Sequence, residues 1–308
     1  MKKPSRNNKN GKDVLTLQRF SRDVRCTLSE AFDAPRPERI VLAPGILNAL
    51  QILFANMDVR RVMLSSEEYY GPAHLPAQRV AQVPSEQIVP RIKGFRPDVV
   101  IVSVVSWRGT PLPVRQLFSQ IRKLHGGRRR PVLIADYSHA GAVGFPGVKS
   151  LGADLVCGDL DKWVTAPGRC GKLAFLWFKS RWLFSTAETA FEPFFLARDN
   201  ADSLFASRWV DPSEIVRAHE WLKHVGMCRS MLLGRHRANQ KFALQLASLF
   251  GISEPVKSNI LWLPRDRMND KHVRELERQG LVWRTADGRI RILCRADTAH
   301  RYRLPHAA

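Results

Sequence analysis

No apolar run in this 308-residue chain approaches the roughly 20 residues needed to cross a bilayer. The longest, 99–105 and 173–178, suit buried strands, so no membrane span is expected. Acidic residues are scarce: 28 Asp+Glu stand against 49 Lys+Arg, a net charge of +21. That surplus leaves anionic partners, nucleic acid among them, open through long-range electrostatics. It is spread along the chain, however, and RRM, KH, zinc-finger and helix-turn-helix patterns are missing. A surface solvated by arginine is therefore the favoured reading, and nucleic acid is not. The dense cluster Arg128-Arg129-Arg130 falls in a short helix–strand connection. The five cysteines, Cys26, Cys157, Cys170, Cys228 and Cys294, are odd in number, scattered and without a C-x-x-C pair. This argues against a disulfide framework or a zinc site and for reduced thiols in a cytoplasmic protein; no metal is expected. The opening MKKPSRNNKNGKD leads into no apolar h-region or small-residue cleavage site, so it does not read as a secretory signal. Internal repeats and low-complexity segments are also missing.

What is present reads as α/β. Residues 1–12 are polar and basic and are expected to be disordered. Over 13–32, Val14, Leu17, Phe20, Val24, Leu28 and Phe32 recur at helical steps. A short strand over 39–43 runs through Pro44-Gly45 into a helix carrying Ile46, Leu50, Leu53 and Phe54 on one side. Such a junction offers backbone N–H groups and the positive end of a helix dipole to a phosphate, although a Gly is also simply a common way to turn. Strand 62–64 leads to Glu67, Glu68, Tyr69 and Tyr70; the tyrosines either offer a flat face to a planar ligand or divide between core and surface. Segment 98–106 is β-branched and nearly continuously apolar, as a central parallel strand should be. After the loop from Trp107 to Pro113 comes a helix over 113–125, and the alternation predicts βαβ units and a mainly parallel sheet with flanking helices. Residues 179–205 lack periodicity and read as a long loop or crossover. Helices over 212–224 and 228–250 complete a large domain of 13–250. Residues 251–308 read as a small α+β C-terminal domain: a strand at 259–263, a helix at 270–279, a hairpin LVWRTADGRIRIL turning at Asp287-Gly288, and a polar tail from Arg295.

The most informative stretch is 131–178. Its strand-like segments 132–135 and 154–157 end on polar residues, which places Asp136, His139 and Lys162 at carboxyl ends of strands, where open α/β sheets bind ligands. A lysine beyond one strand can form an imine with an aldehyde, while a carboxylate beyond its neighbour holds a proton on a ring nitrogen. Those are the two requirements of pyridoxal 5′-phosphate (PLP) chemistry.

The block IADYSHAGAVGFPGVKSLGADLVCGDLDKWVTAPGRCGKLAFLWF, with its D-x-x-H, G-A-D and K-W-x-x-x-P-G pieces, resembles the cofactor-lysine region of the class V aminotransferase family of fold type I PLP enzymes. That family includes cysteine desulfurases, kynureninases and isopenicillin-epimerase-like proteins. The resemblance spans 38–178, with weaker support to about 251. It implies that Lys162 is the catalytic Schiff-base lysine and Asp136 the pyridinium partner. His139 matches the residue bonded to the PLP phenolate oxygen, and Gly45 and Ile46 match the turn that holds the cofactor phosphate. Tyr70, or failing that Tyr69, matches the ring-stacking position. Ser106 and Arg108 are placed to approach the ring or substrate, and Arg291, with Arg289 as the alternative, matches the arginine that binds a substrate carboxylate. The implied activity is that of an aminotransferase or lyase on a small amino acid or amine, in a cytoplasmic homodimer. A desulfurase would also need a mobile cysteine, for which Cys294 is the candidate. The chain departs from the family in carrying Leu160 and Asp161 where a hydroxyl residue and His or Tyr are usual, and Trp209-Val210-Asp211-Pro212 where Gly-Thr is usual. It also reads as short at both ends. A catalytically degenerate binding or regulatory protein on the same fold is the alternative.

Overall fold

Alternating strands and helices build a seven-stranded sheet in the computed structural model of the chain, which describes residues 7–68, 74–126, 130–164, 173–192, 210–252, 254–263, 270–278, 282–284 and 289–301. Its strands are β1 (Ile40–Ala43), β2 (Arg61–Ser65), β3 (Arg79–Val83), β4 (Val99–Ser103), β5 (Val132–Asp136), β6 (Leu155–Asp159) and β7 (Ala174–Phe178). They lie in the order β1-β7-β6-β5-β4-β2-β3. The five from β3 to β6 are parallel, and β7 runs against both of its neighbours.

Burial on both faces explains the apolar runs. In β4 every residue is buried; Val100 and Val102 join one core, Val99 and Ile101 the other. Helices α1 (Asn7–Phe32), α3 (Ser85–Phe95), α4 (Val114–His125) and α6 (Pro212–His224) cover the first face, while α2 (Ile46–Asn56) and α5 (Arg181–Phe191) cover the second. Helix α7 (Arg229–Leu249) buries Leu232 in the first core and Phe242, Ala243, Leu246 and Ala247 in a third. That third core belongs to the small unit, in which β8 (Ile260–Leu263), β9 (Val282–Arg284) and β10 (Ile290–Leu293) form an antiparallel sheet of order β8-β10-β9 beside α8 (Asp270–Arg278).

Several expectations need correcting. Helix α1 starts at Asn7, inside the stretch expected to be disordered. Once the docked half of a helix has formed, each further polar residue adds a hydrogen bond without a new nucleus, and apolar periodicity gives no sign of it. Part of the expected long loop is α5: Leu183, Phe184, Ala187, Ala190 and Phe191 share one buried face, and Ser180 Oγ caps the helix by accepting from the Leu183 N–H at 3.2 Å. The sequence reading also passed over β3, an edge strand with largely unburied side chains, and α3, which carries Pro90 internally. The tail from Arg295 is structured as far as a 3-10 turn over Ala296–Arg301, and Arg295 itself is buried. The departure at Asp211-Pro212 has a local cause: Asp211 caps α6 through the Ser213 N–H at 2.8 Å, with Pro212 in the first turn. The Asp287-Gly288 turn lies outside the described residues.

Candidate functional site

The carboxyl ends of β4, β5 and β6 form the floor of the site. Ser103, Asp136 and Cys157 are direct partners across adjacent strands. Ser103 and Asp136 follow Ile101 and Ile134 by two residues and so share their face of the sheet, the one covered by α2 and α5. Asp136 is buried, and its Oδ1 accepts from the Ser138 N–H at 2.8 Å. Beside it Glu68 is buried as well, accepting from both the backbone N–H and the hydroxyl of Ser103. Burial, then the nearby charge of Asp136, pushes the Glu68 carboxyl up to about 8, so it carries a proton at neutral pH.

After β6 the chain turns through Leu160 to Val164 and carries Lys162 on the turn. Lys162 Nζ lies 3.3 Å from Asp159 Oδ2. Three donors from outside the sheet hold this turn. Arg295 Nη1 donates to the Lys162 carbonyl at 3.0 Å, and Trp221 Nε1 and Arg235 Nη1 donate to the Val164 carbonyl at 3.3 and 3.2 Å. In the chain row where Asp159 faces Ala174 and Ala174 faces Ala43, the first turn of α2 rises from the same sheet edge.

His139 follows β5 and is buried, with Nε2 3.2 Å from Arg291 Nη2. An arginine only donates, so Nε2 accepts and the neutral ring carries its proton on Nδ1. Burial, reinforced by the charges of Lys162 and Arg291, holds the His139 pKa well below its ordinary value. The Trp163 ring stands edge-on to His139, with centroids 6.4 Å apart. Gly141 packs against Trp163 as well: a Cβ there would collide with Trp163 and lie 2.8 Å from Phe145 Cζ.

Arg291 reaches this cluster because β10 belongs to a unit docked on the large sheet. The Asn259 N–H donates to the Ala142 carbonyl at 3.0 Å, and Asn259 Nδ2 lies 3.0 Å from His236 Nδ1. Gly109 (φ +79°) turns beneath Ile260 where a Cβ would lie 2.8 Å from its Cβ.

Of the residues singled out from sequence, Asp136, His139, Lys162 and Arg291 come together. Arg289 is exposed, so Arg291 is the arginine that faces the cluster. Gly45 is the N-cap of α2, which has no side-chain cap, and Ile46 is buried behind it. Ser106 and Arg108 are occupied elsewhere: Ser106 Oγ accepts from the Thr110 N–H at 3.0 Å within its own turn, and Arg108 is exposed over the Trp107 ring at 4.9 Å. Tyr69 and Tyr70 lie outside the described residues. Cys294 is buried in the small-unit core with its pKa raised by burial, a structural thiol. Asp154, of the G-A-D piece, sits at the far end of β6, where Arg130 grips it in two hydrogen bonds of 2.5 and 2.8 Å.

Three site residues escaped the sequence reading. Glu68 looked like one more polar turn residue, Arg295 like the start of a tail, and Asp159 did not stand out beyond the strand read over 154–157. Only Asp159, an acid that closes β6, carried a signal; Glu68, three residues past β2, and Arg295 carried none. Asp161 adds to the acidity: its carboxyl is partly buried, no hydrogen bond reaches its Oδ1 among the described residues, and burial raises its pKa.

No family model and no curated protein matches the sequence. Solved structures do. A mutant of C-DES with glycine covalently linked to its PLP cofactor matches at a TM-score of 0.66 and 14% identity, over 94% of this chain and 87% of that one. The cysteine desulfurase CsdA from Escherichia coli matches at 0.62 and 13%, over 98% and 85%. An alanine–glyoxylate aminotransferase from Nostoc sp. matches at 0.63 and 12%, over 92% and 84%. The chain has the fold of the class V aminotransferases, the type I fold of PLP-dependent transferases.

Proposed function

We propose that this chain binds PLP through Lys162 and acts on a small amino acid or amine, as an aminotransferase or lyase. The observation that carries the reading is the convergence of Asp136, His139, Lys162 and Arg291, from three segments, at the carboxyl end of the sheet. Fold relatives whose structures hold PLP support it.

The residues present fit the group at its carbonyl and ring ends. Lys162 offers a primary amine, partly open to solvent, to the carbonyl. Asp136, buried and oriented by the Ser138 N–H, suits a protonated ring nitrogen. The first turn of α2 offers backbone N–H groups to the phosphate, opposed at that sheet edge by Asp159 and Asp161. When bound, the group supplies a protonated pyridine that draws off the electron pair released at the substrate. Lys162 would hold the group at its carbonyl, and Nζ is the atom that would move a proton. His139 stays neutral beside Lys162 and Arg291. Arg291 suits a substrate carboxylate, which would take over the guanidinium face now turned to His139. On the same resemblance the protein is read as a homodimer, and its scattered, odd-numbered cysteines favour a cytoplasmic one.

Titration with PLP tests the reading. The wild type should gain the visible absorption of lysine-bound PLP, and Lys162→Ala should not; a wild type without that band at saturating PLP overturns it. Asp159 and Asp161 favour a second reading, a ligand-binding protein without turnover. Under it, amino acids shift the spectrum of the loaded protein but yield no product.

A further inference from the structure

At the end of β6 the Lys162 amine already has a partner. Its Nζ lies 3.3 Å from Asp159 Oδ2, in an i,i+3 pair whose side chains are only 26% and 24% exposed. The Asp159 backbone is anchored twice: its N–H donates to Ser138 Oγ at 3.3 Å, and the residue pairs with Ala174 across the sheet. Charges around the pair come from three segments. Asp136 and Asp161 both bear on Asp159, His139 faces Lys162 in its neutral form, and Arg295 reaches the Lys162 carbonyl while its own guanidinium is engaged by Asp297. The Asp159 carboxylate is in salt-bridge contact with the amine.

An amine that adds to a carbonyl must first release a proton. That proton passes to solvent, the freed lone pair on Nζ forms the C–N bond, and the carbonyl oxygen departs as water with the two protons Nζ still carries. A carboxylate beside the ammonium favours the protonated form and delays that release. We propose that Asp159 is the resident counter-ion of Lys162, holding the amine charged until a carbonyl ligand enters and so setting how readily this lysine reacts. The inference takes from the proposed function the idea that Lys162 is the reactive lysine. Burial pushes the Asp159 carboxyl up to about 6, with Lys162 opposing, so the counter-charge is in place at neutral pH.

The test reads the amine directly. Full-length wild type, Asp159→Asn, Asp159→Ser and Asp159→Glu are labelled with trace acetic anhydride across a pH series, and each lysine is quantified by peptide mass spectrometry. In the Asn and Ser variants Lys162 should label on the order of tenfold faster near neutral pH. The Glu variant should stay near the wild type, and the other lysines should not move. Two neutral side chains of different size separate loss of charge from a change in packing. An unchanged Lys162 profile in both neutral variants overturns the proposal. Titration of the same proteins with PLP separates the two claims. A Lys162 profile that shifts while no variant gains the band of lysine-bound PLP supports the counter-ion and overturns the cofactor reading. A band in every variant with no shift in the profile does the reverse.

Discussion

Replacing Glu68 by Gln should stabilise the protein in a strictly pH-dependent way. Glu68 is 5% exposed, and both the N–H and the hydroxyl of Ser103 point at its carboxyl. Folding raises its pKa from an ordinary 4.5 to about 8, through burial first and the charge of Asp136 second. Between those values the folded chain binds more protons than the unfolded one, so stability falls as the pH rises. The loss is ~1.4 kcal/mol per pH unit, on the order of 3 kcal/mol by pH 7. A glutamine accepts from Ser103 as the protonated acid does and cannot ionise. The two proteins should therefore unfold alike at about pH 5, and Glu68→Gln should be more stable by on the order of 3 kcal/mol at about pH 7. The gap should level off above about pH 8. Urea unfolding followed by circular dichroism at the three pH values measures it. A gap independent of pH, or a wild type that gains on the variant as pH rises, refutes the assignment of a protonated Glu68 beside Asp136.

The remaining predictions concern packing and substrate. Gly141→Ala should destabilise the fold by about 1–3 kcal/mol, because the new methyl meets Trp163 and Phe145 in a closed core; thermal unfolding reads it, and an unchanged melting temperature contradicts the contact. Arg291→Ala should raise KM for amino acids roughly ten- to a hundredfold, the worth of a lost charge-assisted hydrogen bond. KM for amines lacking a carboxylate should change little, and equal loss for both classes removes Arg291 from substrate recognition.

How far the sequence disclosed this site depended on whether a residue's role is local. Asp136, His139 and Lys162 stood out because polar residues closing apolar strands have few other uses, and the structure sets all three at the carboxyl end of the sheet. Arg291 was favoured over Arg289 in GRIRIL on a short motif alone; the docking of β10 on the large sheet turns Arg291 inward to His139. Glu68 and Asp159 were hidden for different reasons. A glutamate in a polar turn is ordinary until a distant strand brings Ser103 onto it, whereas the partner of Asp159 is Lys162, only three residues on, and their pairing depends on how the turn after β6 folds back. Fold legibility followed the same division. The strands of the parallel sheet announce themselves by continuous apolar character, whereas α5 hides a buried face among aromatic and small residues, and β3 at the sheet edge has little to bury.

The proposed function rests most directly on one absorbance titration. Purified wild type and Lys162→Ala are each brought to saturation with PLP, and the unbound cofactor is removed by gel filtration. The account predicts a retained visible band in the wild type alone, lost on borohydride reduction with the label fixed on the peptide that contains Lys162. A band of equal strength in Lys162→Ala, or a label on any other lysine, contradicts it.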